Sequence, residues 1–144
     1  MSKISSSKPL NGIKVLELSN MITCSLATMT MASQGAEVIK IEPTLIGDKM
    51  RPLGTQKNGV SGFFHNCKRG KRSLAIDLKS SSGVKAVTEL ASQADVLVHN
   101  YRPGVMDKLG LGSKDIRGNN SQIIYIAVSG FGTKGPMANL PAFD

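Results

Sequence analysis

Two short strands with one helix between them constrain this chain more than any other feature. Residues 13–18 carry apolar side chains at alternate positions, and Glu37, Val38, Ile39, Lys40, Ile41 and Glu42 form a second such run. Between the runs, Ile22, Leu26, Met29 and Ala32/Ser33 recur at helical spacing, and Gly35 stands where a helix-ending glycine belongs. A helix there carries the chain back to its starting end, so the two strands lie parallel with a right-handed crossover.

The alternation continues. Residues 73–78 read as a third strand. Ser80, Ser81 and Ser82 offer hydroxyl caps to a helix whose Val84, Val87, Leu90/Ala91 and Ala94 face one way. Residues 95–99 form a fourth strand, apolar along its middle as a strand covered on both faces should be. A short helix over 105–109 stops at Gly110, 113–117 makes a helical turn, and residues 122–128 are the fifth and most apolar strand. Residues 43–60 hold Pro43, Gly47, Pro52, Gly54 and Gly59 without a period, a long loop of the kind that often carries function, after which Phe63 and Phe64 return to the core. The fold class is therefore α/β, a Rossmann-like, mostly parallel sheet with flanking helices. A serine-rich tail, 1–8, is expected to be flexible, and 9–144 to form one domain part, a length that suits a single core.

A basic run precedes the third strand: Lys68, Arg69, Lys71 and Arg72 surround Gly70. Glycine permits a positive φ and close backbone approach, and cations beside it suit a polyanion. A solvated basic turn explains the same composition, and the two readings stand side by side on local grounds. The net charge of +8 favours anionic partners, while 4% aromatics and no Trp leave little for stacking on single-stranded nucleic acid. Neither a G-x-G-x-x-G fingerprint nor a P-loop is present. Two cysteines, Cys24 and Cys67, make no disulfide framework and no metal-ligand spacing, so a reducing, cytoplasmic setting and no metal are expected. No apolar run is long enough to span a membrane.

In a parallel sheet, ligands bind beyond the carboxyl ends of the strands. Residues 19–23, 42–43, 78–79, 100–102 and 129–131 occupy those places, and Asn100, Tyr101 and Arg102 offer an amide, a flat ring and a cation together. His65 and His99 read as loop or strand-end residues, Cys67 finds no partner that would make it a nucleophile, and Met29 and Met31 read as core packing.

Residues 9–18, 35–42, 66–79 and 95–110, together with Ser129-Gly130-Phe131-Gly132 and Gly135-Pro136, resemble in order and spacing the N-terminal region of class III CoA-transferases. These are the formyl-CoA and carnitine CoA-transferase group, related to the α-methylacyl-CoA racemases. The resemblance implies a Rossmann-like large domain, a homodimer of interlocked subunits, and coenzyme A as the polyanion, with an acyl-CoA and a carboxylic acid as substrates. It places Met21, Ile22, Thr23, Lys71, Arg72, Asn100, Tyr101 and Lys108 around the CoA, the three cations at its phosphates and Tyr101 against its nucleotide. It also implies an aspartate that attacks the thioester, giving a mixed anhydride and then an aspartyl-CoA thioester. No residue of this sequence matches that aspartate, so a chain of 144 residues is expected to be the N-terminal part of an enzyme and inactive alone.

Three departures bear on specificity. Cys24-Ser25 replaces the Gly-Pro pair of many relatives, and Ile22 stands where formyl-CoA transferases carry glutamine, which argues against formate or oxalate. Pro43 replaces an arginine of some members. Phe143 occupies the place of the racemases' catalytic histidine and cannot shuttle a proton, which sets the racemase reading second. A non-catalytic CoA- or nucleotide-binding module, and last a nucleic-acid binder, are the remaining alternatives.

Overall fold

The computed structural model describes residues 8–142; the N-terminal tail through Ser7, and Phe143 with Asp144, lie outside the described residues. Five parallel strands form one sheet in the order β5-β2-β1-β6-β7. They are β1 (Lys14–Leu18), β2 (Glu37–Glu42), β5 (Lys71–Ala75), β6 (Val96–His99) and β7 (Ile124–Ala127). The hairpin β3 (Gln56–Lys57) and β4 (Val60–Ser61) forms a separate antiparallel pair inside the long loop. The helices are α1 (Ile22–Ser33), α2 (Gly62–Lys68), α3 (Ser81–Ala91), α4 (Val105–Lys108) and α5 (Ser113–Asn119).

Period-2 alternation sorts side chains onto two faces. Leu16, Leu18, Ile41 and Leu97 pack with Val87, Ala91, Met106 and Ile116 on the α3–α5 side. Val15, Val38, Val96 and Val98 pack with Cys24 on the α1 side. The strand order places the chain's reversal of direction between β1 and β6, the position where open parallel sheets bind ligands.

The structure departs from the sequence expectations in four places. The third strand runs over Lys71–Ala75 rather than 73–78, and Ile76 turns into the core behind it. The basic turn is preceded by a helix, α2, whose one buried residue is Cys67, while Phe63 is exposed and only Phe64 is half-buried. Helix α1 buries Cys24, Ser25, Thr28 and Met29 and leaves Leu26 45% exposed, because its inward face must meet a charged group. The fifth strand is an edge, with Ile124 and Ile126 exposed.

Candidate functional site

The face of the sheet beneath α1 is polar at its centre. Glu17, Lys40 and Lys71 come from neighbouring strands, and Glu17 and Lys40 lie on the same alternation as Val15 and Val38. Lys40 Nζ lies 2.5 Å from Glu17 Oε1 and 2.8 Å from Asp48 Oδ2. Lys71 Nζ lies 2.7 Å from Glu17 Oε2 and donates to the Ser25 carbonyl at 2.7 Å. The hydroxyls of Ser19, Ser25 and Thr28 also donate to Glu17, at 2.5, 2.8 and 2.6 Å. Glu17, Lys40 and Asp48 are essentially sealed from solvent.

A buried carboxylate with no partner would be costly, and this one is saturated with donors. Burial pushes the Glu17 carboxyl up, but Lys40 and Lys71 outweigh it and bring the pKa down to about 2. Burial opposes the charge on Lys40 too, yet Glu17 and Asp48 raise its pKa. Lys71 goes the other way: burial, with Lys40 adding to it, outweighs Glu17 and lowers its pKa.

A second carboxylate fastens the long loop to the sheet. Glu42 accepts from Arg51 Nε at 2.8 Å, Ser73 Oγ at 2.6 Å, the Asp48 N–H at 3.0 Å and the Lys68 ammonium. Burial pushes its pKa up, but the bonds from Arg51, Lys68 and Ser73 hold it well below the usual carboxylate range. Gly47 has φ 63 and passes so close to Arg51 and Glu42 that a side chain there would strike both. Thus anchored, the loop delivers Asp48, whose Oδ1 accepts from the N–H groups of Met21 at 3.1 Å and Met50 at 2.9 Å.

Asn100, just past β6, grips the loop after β1 from the other side. Its Oδ1 accepts from the Asn20 N–H at 3.0 Å, and its Nδ2 donates to the Asn20 carbonyl at 2.6 Å and to Thr23 Oγ1 at 3.3 Å. The fork joins the carboxyl ends of β1 and β6. Met21, Ile22, Thr23 and Asn100, which the resemblance places around CoA, are therefore brought together, and Tyr101 follows directly, half-buried. Burial raises the Tyr101 phenol's pKa, so the phenol stays neutral at pH 7.

The four cations of the basic run diverge. Lys68 is held by Glu42, Arg69 Nη2 lies 3.6 Å from Met29 Sδ, and the Lys71 side chain is fully buried on Glu17. Arg72, one strand position on, points to the opposite face of the sheet, where with Lys14, Glu37, Leu90 and Gln93 it lines a cavity of about 190 Å³. Lys108 lies exposed at the end of α4. Gly70 has φ 77, the positive value expected of it.

Beyond β6, His99 is 5% exposed, and its Nδ1 accepts from the Tyr101 N–H at 3.2 Å. Burial lowers its pKa, and Asp107 only partly offsets that. With Tyr101, Arg102, Asp107 and Tyr125 it lines a cavity of about 370 Å³. The thiols are buried: Cys24 is pushed up to about 11 by burial and Cys67 is also raised, neither being a ready nucleophile. Among the described residues no group of His, Cys, Asp and Glu could hold a metal ion, and no helix is long and apolar enough to cross a membrane.

Glu17, Lys40 and Asp48 are not among the residues that the sequence singles out, and Glu42 stands there only as a strand end. For Glu17, Lys40 and Glu42 the signal was present as opposite charges on the inward positions of β1 and β2, beside Val15 and Val38; Asp48, in the loop that follows, carried none.

The model of CoA-transferase family III matches residues 10–144. The chain belongs to this family. Its sequence is 40% identical to the mouse succinyl-CoA:glutarate CoA-transferase over 99% of this chain and 33% of that protein. It is 38% identical to the acetyl-CoA:oxalate CoA-transferase of Acetobacter aceti over 94% of this chain and 35% of that protein. A CAIB/BAIF family protein from Brucella suis superposes with a TM-score of 0.90 at 36% identity, covering 96% of this chain and 38% of that one. This family III chain thus spans about a third of the length of the curated relatives it matches.

Proposed function

We propose that this family III protein moves CoA between an acyl-CoA and a carboxylic acid, and that the acyl-CoA lies across the carboxyl ends of β1 and β6. The observation that carries the reading is the fork of Asn100 on Asn20 and Thr23, which assembles Met21, Ile22, Thr23, Asn100 and Tyr101 at the switch point of the sheet. Tyr101 offers its ring to the nucleotide, and Lys108, on the helix after the same strand, offers charge to a phosphate. Lys71 supports the site from beneath, through Glu17 and the Ser25 carbonyl. Arg72, on the opposite face, adds only to the long-range positive field.

The acyl-transferring aspartate that the family resemblance implies has no counterpart in this sequence, so the chain supplies binding and not the covalent step. Relatives are named for glutarate and for oxalate. Ile22 puts an apolar side chain where formyl-CoA transferases carry glutamine, and a glutarate-like dicarboxylic acid is accordingly favoured over oxalate. The reading includes a homodimer, on the family resemblance, and a cytoplasmic setting, supported by two free, buried cysteines.

Calorimetric titration of CoA and acetyl-CoA at two salt concentrations tests the reading. Saturable binding that Asn100→Ala abolishes and Arg72→Ala leaves nearly intact is expected. A folded chain that binds neither ligand overturns it. Acyl-CoA:acid exchange, followed by mass spectrometry, is expected to be absent from the 144-residue chain; measurable exchange would show that the nucleophile lies within it.

A further inference from the structure

The loop proposed to meet CoA contains a strained backbone, and a buried carboxylate holds it. Met21 has φ 65 and ψ −153, a combination that glycine adopts freely and other residues adopt at a cost. Asn58 is the one other non-glycine residue with a positive φ among the described residues, and it sits in the tight turn of the β3–β4 hairpin, where asparagine is at home. Met21 has no such local excuse. It is the residue from which α1 starts, and no side chain caps that helix.

The restraint comes from Asp48, 27 residues along the chain. Its Oδ1 accepts the Met21 N–H at 3.1 Å, its Oδ2 lies 2.8 Å from Lys40 Nζ, and it is 1% exposed. Glu42 binds the Asp48 N–H and the Arg51 side chain, so the loop that presents Asp48 is itself tied to the sheet. Asn100 fixes Asn20 on one side and Asp48 fixes Met21 on the other.

We infer that Asp48 is a positioning residue for the CoA site: by holding the Met21 N–H it keeps residues 21–23 in the strained shape that the ligand meets. The inference rests on the assignment of Met21, Ile22 and Thr23 as CoA contacts. Without Asp48 the backbone relaxes to an ordinary conformation, the competent shape is only fractionally populated, and apparent affinity falls by that fraction.

The test is a double-mutant cycle on CoA affinity with Asp48→Ala and Met21→Gly. Asp48→Ala in the natural background should weaken CoA binding about tenfold or more, whereas in the Met21→Gly background it should cost less than about threefold, because glycine takes the conformation unaided. Equal losses in both backgrounds overturn the inference. Asp48→Asn, which keeps an oxygen for the Met21 N–H, should bind much better than Asp48→Ala; equal weakness would assign the effect to the charge facing Lys40 instead.

Amide hydrogen exchange separates this inference from the CoA reading. In Asp48→Ala the Met21 amide should exchange about tenfold faster or more while Leu16 in β1 is unchanged, whether or not CoA binds. A uniform acceleration overturns the positioning role, and unchanged Met21 exchange does so equally. Should Asp48→Ala fail to fold, Met21→Gly alone decides: its melting midpoint should hold or rise, and a fall of more than about 5 °C means that Met21 carries no strain.

Discussion

Replacing Glu17 by glutamine removes one charge and almost no volume from the most enclosed part of the molecule. Glu17 is 0% exposed and receives two ammonium groups and three hydroxyls. The fall of its pKa from the ordinary 4.5 to about 2, driven by Lys40 and Lys71 against burial, corresponds to about 3 kcal/mol at about 1.4 kcal/mol per tenfold. Breaking a buried ion pair by removing one partner costs about 3–5 kcal/mol, in agreement, because Lys71 would then have no carboxylate. Against a total stability of about 5–15 kcal/mol this is a large share, and for a chain of this size it lowers the melting temperature by about 10 °C.

Urea unfolding followed by circular dichroism measures it. The folded carboxyl has the lower pKa, so its contribution is complete above about pH 4.5 and is lost as pH falls through about 2. The gap between natural chain and variant should therefore close across that window. A loss below about 1 kcal/mol at pH 7, or a gap that persists undiminished to the acid end, would mean that Glu17 is not held as a carboxylate by the two lysines.

Arg51→Ala should cost no more than about 1 kcal/mol, since its side chain is 45% exposed, whereas Glu42→Gln, which also orphans Lys68, should cost more and speed proteolytic cutting within residues 43–60; equal effects in urea unfolding would contradict the pairing. Burial lowers the His99 pKa, so the unfolded chain binds a proton first and stability falls as pH drops below about 6.5; His99→Gln should remove that part of the pH dependence, and an unchanged profile would contradict it. Ile124 is 57% exposed on an edge strand; Ile124→Thr should leave the melting temperature nearly unchanged and reduce self-association in light scattering.

Much of this was legible in the sequence, and the failures have physical causes. The first strand, first helix and second strand were placed almost to the residue, because alternation, helical period and Gly35 agree there. The facing of α1 was misread: hydrophobicity favours Leu26 inward, but Glu17 needs the hydroxyls of Ser25 and Thr28. Helix α2 was missed because Cys67 is the only one of its residues that is buried, so no apolar stripe marks it. The third strand starts at Lys71 because that side chain answers Glu17, a demand invisible to a hydrophobic count. The fifth strand reads as the most apolar, yet it is an exposed edge, because isoleucines announce apolarity and do not say what lies over them.

The candidate site was legible where neighbours in sequence are neighbours in space. Residues 21–23 and 100–101 each sit just past a strand, and the strand order of the sheet brings the two segments together. The basic run misled for a matching reason: Lys71 and Arg72 are adjacent in sequence and, being in a strand, point to opposite faces. Asp48 stayed hidden because a loop of that length carries no period from which to place it.

Chemical-shift mapping of CoA on the isotopically labelled chain shows where the ligand lies. With CoA across the carboxyl ends of β1 and β6, the amides of Met21, Ile22, Thr23, Asn100 and Tyr101 should shift together and saturably, while those of Lys14, Glu37 and Arg72 at the other end of the sheet stay in place. Shifts gathered around Arg72 and Lys14, or none at all in a folded chain, would contradict that placement.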